Sequence, residues 1–123
     1  MENIKIFFAE DDDYTEYTSR ENGSRNDIVV QIDEKLYHPS VYSLSALTQE
    51  FDEAIQKGKL YEIDNNIVLV ENLSNEKIIE ILVYLARMNY FQRVKEITLD
   101  SEFVGSFVLF PRLKTLDGWI RVY

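Results

Sequence analysis

A run of four acidic residues, directly after the first hydrophobic segment, carries the side chains best suited to chemistry. Glu10-Asp11-Asp12-Asp13 is followed closely by Tyr14, Glu16 and Tyr17. Carboxylates are the ligands that Ca²⁺ and Mg²⁺ prefer, but a calcium loop also needs fixed ligand offsets, a glycine for the sharp turn and a closing glutamate. The first glycine after the run is Gly23. The pattern therefore predicts a solvated charge run and no dedicated metal site.

Other kinds of catalytic or cofactor site lack the residues they require. The chain has no cysteine and one histidine, His38, so cysteine nucleophiles are excluded and a zinc site is effectively excluded. His38 stands between Tyr37 and Pro39 without an evident orienting acid, which favours a structural role. The four glycines are scattered and form no phosphate-binding loop, and no carboxylate pair is singled out among the 22 acids. We therefore expect a protein that is not an enzyme and has no cofactor.

The negative charge is concentrated in the first two thirds of the chain. Residues 1–84 carry 7 basic and 18 acidic side chains, whereas residues 85–123 carry 6 basic and 4 acidic ones, and the net charge is −9. An acidic surface repels phosphate backbones, which disfavours nucleic-acid binding. It also attracts basic proteins and raises their association rates by about 10- to 1000-fold. This predicts a protein partner with a basic surface; the alternative is that the charge only maintains solubility.

Length and composition predict a single domain over residues 1–123. This length is near the commonest domain size, and 46% of the residues are hydrophobic, enough for one core. The N-terminal residues lack the basic region of a signal peptide. No segment approaches the roughly 18 apolar residues of a membrane-spanning helix. Together with the absence of cysteine, this predicts a cytoplasmic protein that does not interact with membranes.

Hydrophobic periodicity predicts an α+β fold, with a largely antiparallel sheet packed against two main helices. The helices are predicted over about 44–57, after an N-cap at Ser43, and about 75–88, after an N-cap at Ser74. Gly58 and Asn89 are the expected stops. Residues 10–27 contain seven acids, two arginines and Asn22-Gly23, and they are predicted to form a solvated loop or a hairpin.

The strands are predicted from short apolar segments bounded by turn residues. The segment near 36–42 is expected to be broken or bent at His38-Pro39. The continuous apolar run at 67–70 is typical of a strand buried on both faces. The predicted strands cover residues 3–9, 28–32, 36–42, 60–63, 67–70, 94–99, 103–110 and 119–123.

The two tyrosines of the acidic segment make it a candidate binding surface. Tyrosine is enriched at interface hot spots, and acids around it attract a basic partner. The alternative is that both rings pack onto the sheet while the acids face water. The predicted partner-binding residues are Asp11, Asp12, Asp13, Tyr14, Glu16 and Tyr17.

Two family resemblances bear on function. Residues 4–12 resemble the start of a response-regulator receiver domain, in which a strand delivers acids to a Mg²⁺ pocket. That resemblance ends there, because residues 14–27 lack the periodicity of the required helix and no later acceptor aspartate or Lys-Pro follows. In size, acidity and the order of its central segments (28–32, 44–55, 67–71 and 74–90), the chain is similar to the small acidic immunity proteins of bacterial polymorphic-toxin systems.

The second resemblance implies a cytoplasmic protein that binds and blocks a cognate toxin, often a basic nuclease. It transfers no functional residue, and the β-rich tail from residue 94 onward does not fit it. Two alternatives remain open. One is a structural or assembly subunit of phage or bacterial origin, monomeric or homodimeric, with an exposed apolar edge at 119–123. The other is a small metal-assisted enzyme that uses the acidic segment.

Overall fold

The chain has an α+β fold, as predicted, with helices and strands mixed along its length. The computed structural model describes residues 3–61, 66–94, 96 and 119–123. Within these residues it contains three α-helices, one 3₁₀ turn (Tyr90–Arg93) and seven short strands. In chain order the helices and strands are β1 (Ile4–Phe8), α1 (Asp13–Asn22), β2 (Ser24–Arg25), β3 (Ile28–Ile32), β4 (Lys35–Tyr37), β5 (Ser40–Tyr42), α2 (Leu44–Gln56), β6 (Ile67–Leu69), α3 (Asn75–Arg87) and β7 (Ile120–Arg121).

The larger sheet has the strand order β4-β3-β1-β7, and all its neighbours are antiparallel. Ile6 of β1 lies opposite Val30 of β3, and Phe8 lies opposite Ile28. All four side chains are fully buried. Successive side chains of a strand point to opposite faces of the sheet, so residues 6 and 8 of β1 share the face that meets the core.

The smaller sheet has the order β2-β5-β6, with β2 antiparallel and β6 parallel to β5. The predicted break at His38-Pro39 is confirmed, because it separates β4 in one sheet from β5 in the other. Asn66 stabilises this change of sheet: its Nδ2 donates to the His38 carbonyl at 2.8 Å, and its own carbonyl accepts from Ser40 N at 2.9 Å.

Helix α3 supplies the helical side of the core. Its N-cap is Ser74, as predicted, with Ser74 Oγ accepting from Lys77 N at 3.2 Å. Ile78 and Leu82 are fully buried in one cluster with the sheet residues, and Ala86 continues the same stripe. Asn89, the predicted stop, has a φ of 60°, the left-handed conformation that commonly ends a helix.

Helix α2 forms where predicted but contributes no buried residue. Ser43 caps it, accepting from Ala46 N at 3.2 Å, and Gly58 follows it with a φ of +69°. Its apolar side chains were expected to pack as one face. In the structure Leu44, Phe51 and Ile55 are 66%, 46% and 55% exposed.

The prediction that residues 10–27 form a loop or a hairpin was wrong. Residues 13–22 are helix α1, and Asn22-Gly23 ends that helix instead of turning a hairpin. Apolar periodicity missed it because only Ser19 of the helix is buried. The caps at its two ends, described below, take the place of a packed apolar stripe.

The prediction that the strand at 67–70 is buried on both faces was also wrong. Val68 and Val70 belong to the core, but Leu69 is 49% exposed, so the strand alternates and only one of its faces meets the core. The tail strand predicted at 119–123 is present as β7, paired with β1. The strands predicted at 60–63, 94–99 and 103–110 lie wholly or partly outside the described residues.

Candidate functional site

Helix α1 carries most of the predicted partner-binding residues and is fixed at both ends. At its start, Asp12 Oδ1 accepts a hydrogen bond from Thr15 N at 2.6 Å, and this bond lowers the pKa of the Asp12 carboxyl. At its end, Gly23 N donates to the Ser19 carbonyl at 2.9 Å, with a φ of +74° at Gly23. The acids of the first turn and Arg20 in the last turn complement the helix dipole.

The first turn of α1 is bonded to the first residue of α3. Glu16 Oε2 accepts from the backbone N–H of Asn75 at 2.7 Å, and Asp11 Oδ1 accepts from Asn75 Nδ2 at 3.0 Å. A helix N-terminus has free N–H groups and a partial positive charge, so a carboxylate there is stabilising. Glu16 thus satisfies a backbone N–H at the N-terminus of a distant helix, and Asp11 holds the side chain of the same residue.

A buried arginine, Arg25, stabilises the contact between the acidic segment and Asn75. The Arg25 side chain is 1% exposed, and its Nε donates to Asp27 Oδ1 at 2.7 Å. The other guanidinium nitrogens donate to the Glu10 carbonyl at 2.6 Å and to Asn75 Oδ1 at 2.5 Å. The guanidinium also lies over the Phe8 ring, 4.0 Å from its centroid. Each guanidinium nitrogen has an acceptor, which offsets part of the cost of burying the charges.

The outward side of α1 presents two tyrosines one turn apart. Tyr14 is 75% exposed and Tyr17 is 60% exposed. Residues three and four apart lie on the same helix face, so Tyr14, Tyr17 and Glu21 form one row, with Asp13 beside it. Asp13 and Glu21 are both exposed. We call these four residues the tyrosine face.

The structure therefore divides the six predicted partner-binding residues into two groups. Asp13, Tyr14 and Tyr17 lie on the tyrosine face. Asp11, Asp12 and Glu16 hold the helix in place through the bonds described above. The alternative in which both rings pack onto the sheet is wrong for Tyr14 and Tyr17, given their exposure.

Sequence reasoning missed the residues that support α1. Arg25, Asp27 and Asn75 stand in no motif, and the pairing of Arg25 with Asn75 joins residues far apart in sequence. The available signals were weak: an arginine two positions before an aspartate, and an asparagine directly after a predicted N-cap.

The acids of α1 point to different partners and do not converge. Within the described part of the chain, no group of three or more His, Asp or Glu side chains is placed to hold a metal ion. His38, the single histidine of the chain, is bonded to the backbone. Its Nε2–H donates to the Asn26 carbonyl at 2.5 Å, and burial lowers its pKa.

An apolar groove of about 760 Å³ lies between β6 and α3, with Leu69, Ile79 and Tyr84 among its lining residues. Lys77 at its rim is already paired, with Nζ 3.1 Å from Glu71 Oε1 and 3.6 Å from Glu80 Oε2. Arg87 also lines the groove and donates to the Tyr123 hydroxyl at 3.1 Å. The bond to Glu71 raises the pKa of Lys77. The groove is therefore a concave apolar surface, and the charge of Lys77 at its rim is balanced by neighbouring acids.

No known protein family model matches this chain, and neither a characterised protein nor a solved structure matches it. None of the helices in the described residues has both the length and the apolar character needed to cross a bilayer.

Proposed function

We propose that this protein is a cytoplasmic inhibitor that binds a basic protein partner through the tyrosine face of α1, in the manner of an immunity protein that neutralises a cognate toxin. The observation that carries the proposal is the pair of exposed tyrosines, Tyr14 and Tyr17, on one face of a helix fixed at both ends. The toxin class comes from the resemblance in size, acidity and layout.

A fixed helix suits this role because little order has to be gained on binding. Tyrosine has few rotatable bonds and buries a large ring, so it contributes contact area at a small entropic cost. The Asp12 and Gly23 caps and the Glu16–Asn75 bond already define the helix position. Pre-organised surfaces bind more tightly for the same contact area.

Charge adds speed and selectivity to this surface. Asp13 and Glu21 flank the rings, and the chain carries a net charge of −9. Asp11, Asp12 and Glu16 are bonded internally, but their negative charges still add to the field that a basic partner meets. Opposite charges accelerate association at low salt more than they lower the dissociation rate.

The remaining parts of the proposal follow from the same reading: a monomer or homodimer without enzymatic activity, without a cofactor and without nucleic-acid binding. The assembly-subunit alternative relied on an apolar edge at 119–123. In that segment Trp119 is 8% exposed and β7 pairs with β1, whereas Ile120 and Tyr123 are 38% and 41% exposed, so only part of the edge is available. The metal-assisted alternative lacks a converging set of ligands among the described residues.

The test begins by capturing the partner from the native cell and expressing it with the chain. We expect the wild type to restore growth when the captured protein is toxic. The double variant Tyr14→Ala/Tyr17→Ala should raise Kd by up to about 1000-fold, since hot-spot truncations cost about 2 kcal/mol each. Tyr84→Ala is the matched control, because Tyr84 is 57% exposed on a different helix.

Two results would overturn the proposal. One is undiminished protection by the double variant at a normal expression level. The other is an association rate that does not change with salt, which would exclude electrostatic attraction by the acidic surface.

A further inference from the structure

The charges of helix α2 oppose its dipole, unlike those of the other two helices. Helices α1 and α3 have acids in the first turn and a base in the last. Helix α2 has no acid in its first turn and no base in its last. Its charged residues are Glu50, Asp52 and Glu53, all exposed and none in its first half. Acids near a helix C-terminus weaken the helix, and here only the C-cap residue Lys57 offsets them.

An exposed apolar strip runs along the same helix. Leu44, Phe51 and Ile55 are spaced by seven and four residues, which places them in one row. All three are about half exposed or more, and no residue of α2 is buried. A solvent-exposed apolar row bordered by acids is more typical of an interaction surface than of a free helix face.

Helix α2 is nevertheless held in one position. Its N-terminal end packs beside Gly23, whose carbonyl accepts from Ser43 N at 2.8 Å. Both oxygens of Glu50 accept hydrogen bonds, from Tyr42 at 3.3 Å and from Tyr61 at 3.0 Å. Tyr61 also makes an edge contact with Phe51, with ring centroids 6.0 Å apart. The strip is therefore a preformed surface.

We propose that the outer face of α2 binds a basic amphipathic helix of the protein partner. Such a helix would cover Leu44, Phe51 and Ile55 with apolar residues and place a cation against Asp52, the exposed acid that borders this row. This is the common recognition mode in which helices pack through apolar anchors at helical spacing. A cation near the C-terminal half would also relieve the unfavourable dipole interaction.

A second copy of this chain fits the face less well. In a two-fold dimer both subunits use the same patch of surface. If two α2 helices met near Phe51, the acids of one helix would therefore lie close to the acids of the other. The nearest bases, Lys57 and Lys59, follow the end of the helix. A basic partner helix satisfies both the apolar row and the acids. The inference shares with the proposed function only the need for a protein partner, since it concerns a different helix.

The test uses a labelled synthetic peptide of about three heptads, with leucine at a and d and lysine elsewhere, and an analogue with glutamate for lysine. Fluorescence anisotropy should show binding of the lysine peptide alone. The variant Phe51→Asp/Ile55→Asp should raise its Kd at least tenfold. Asp52→Asn should weaken its salt dependence more than Glu53→Gln does, because Glu53 lies on the opposite side of the helix. Tyr84→Asp is the control and should bind as the wild type does. Circular dichroism confirms that each variant is folded.

Four results would overturn the inference. The first is equal binding of both peptides, and the second is an α2 variant that binds normally. The third is protection of Phe51 from hydroxyl radicals in the isolated monomer, which would show that the same chain covers the face. The fourth is a dimer in sedimentation that Phe51→Asp dissolves, which would identify a second copy as the occupant. The Tyr14 and Tyr17 variants play no part here, so the two proposals fail separately.

Discussion

The backbone N–H of Asn75 donates to Glu16 Oε2 at 2.7 Å, although the two residues are 59 positions apart in the chain. Through this bond, the helix that carries the tyrosine face completes the N-terminus of the helix that fills the core. The surface proposed to bind a partner and the stability of the fold therefore depend on the same carboxylate.

Removing that carboxylate is expected to destabilise the fold. Glu16→Ala leaves the Asn75 N–H without its acceptor and removes a favourable charge from the α3 N-terminus. We expect a loss of about 1–2 kcal/mol in the free energy of unfolding, measured by urea denaturation. Glu21→Ala, an exposed acid on the same helix, should change it by less than about 0.5 kcal/mol. Equal effects of the two substitutions would contradict the assigned role of Glu16.

Breaking the buried Arg25–Asp27 ion pair is expected to lower the free energy of unfolding by more than the loss of Glu16 does. Arg25→Met leaves Asp27 buried without its cation and deprives Asn75 and the Glu10 carbonyl of their donors. We expect a loss of about 3–5 kcal/mol. The double variant Arg25→Met/Asp27→Leu should recover part of it, because no unpaired charge remains. A double variant as unstable as the single one would show that packing of the arginine, and not its charge, matters.

The two left-handed glycines should respond differently to the same substitution. A Cβ at Gly23 would lie 2.7 Å from both Ala46 Cβ and Ser43 Oγ, whereas a Cβ at Gly58 meets nothing within 4 Å. Gly58→Ala should therefore cost only the backbone strain, about 1–2 kcal/mol. Gly23→Ala adds a steric clash between α1 and α2, so we expect a total of about 3 kcal/mol or more. Equal melting temperatures for the two variants would contradict the close packing at Gly23.

His38 predicts a pH dependence of stability. Burial lowers its pKa below the ordinary value of 6.5, so the unfolded chain takes up a proton that the folded chain does not. The stability that depends on a neutral His38 is therefore fully present well above pH 6.5. It decreases as the pH falls below 6.5 toward the pKa of His38 in the folded protein. In His38→Gln the amide keeps a donor for Asn26 O, and this loss should be absent. Urea denaturation at pH 7.5, 6.5 and 5.5 compares the two proteins, and parallel curves would contradict the assignment.

Much of the fold was predictable because its signals are local. Ser43 and Ser74 bond to backbone N–H groups three residues ahead, and Gly58 and Asn89 adopt left-handed conformations that need no distant partner. These four residues bounded α2 and α3 correctly. The strand break at His38-Pro39 was equally local.

Helix α1 was missed because the prediction required an apolar stripe and gave too little importance to the capping residues. Asp12 and Gly23 are a good N-cap and a good C-terminal glycine, but the acidic residues between them lack an apolar stripe. Most protein helices are stabilised by such a stripe, so its absence argued for a loop. The stabilising contacts come from Asn75 and from the buried Arg25 cluster, which no local pattern shows.

By itself, the sequence determined the α+β class, the two longer helices and the concentration of acids and tyrosines after the first strand, since hydrophobic period, capping residues and charge are properties of neighbouring positions. Only the tertiary structure decided which of those acids face outward. Asp11 and Glu16 lie against Asn75, and the two tyrosines lie on the opposite side of α1. That division depends on a contact between segments 59 residues apart, and such a contact exists only after the chain has brought α1 onto the start of α3.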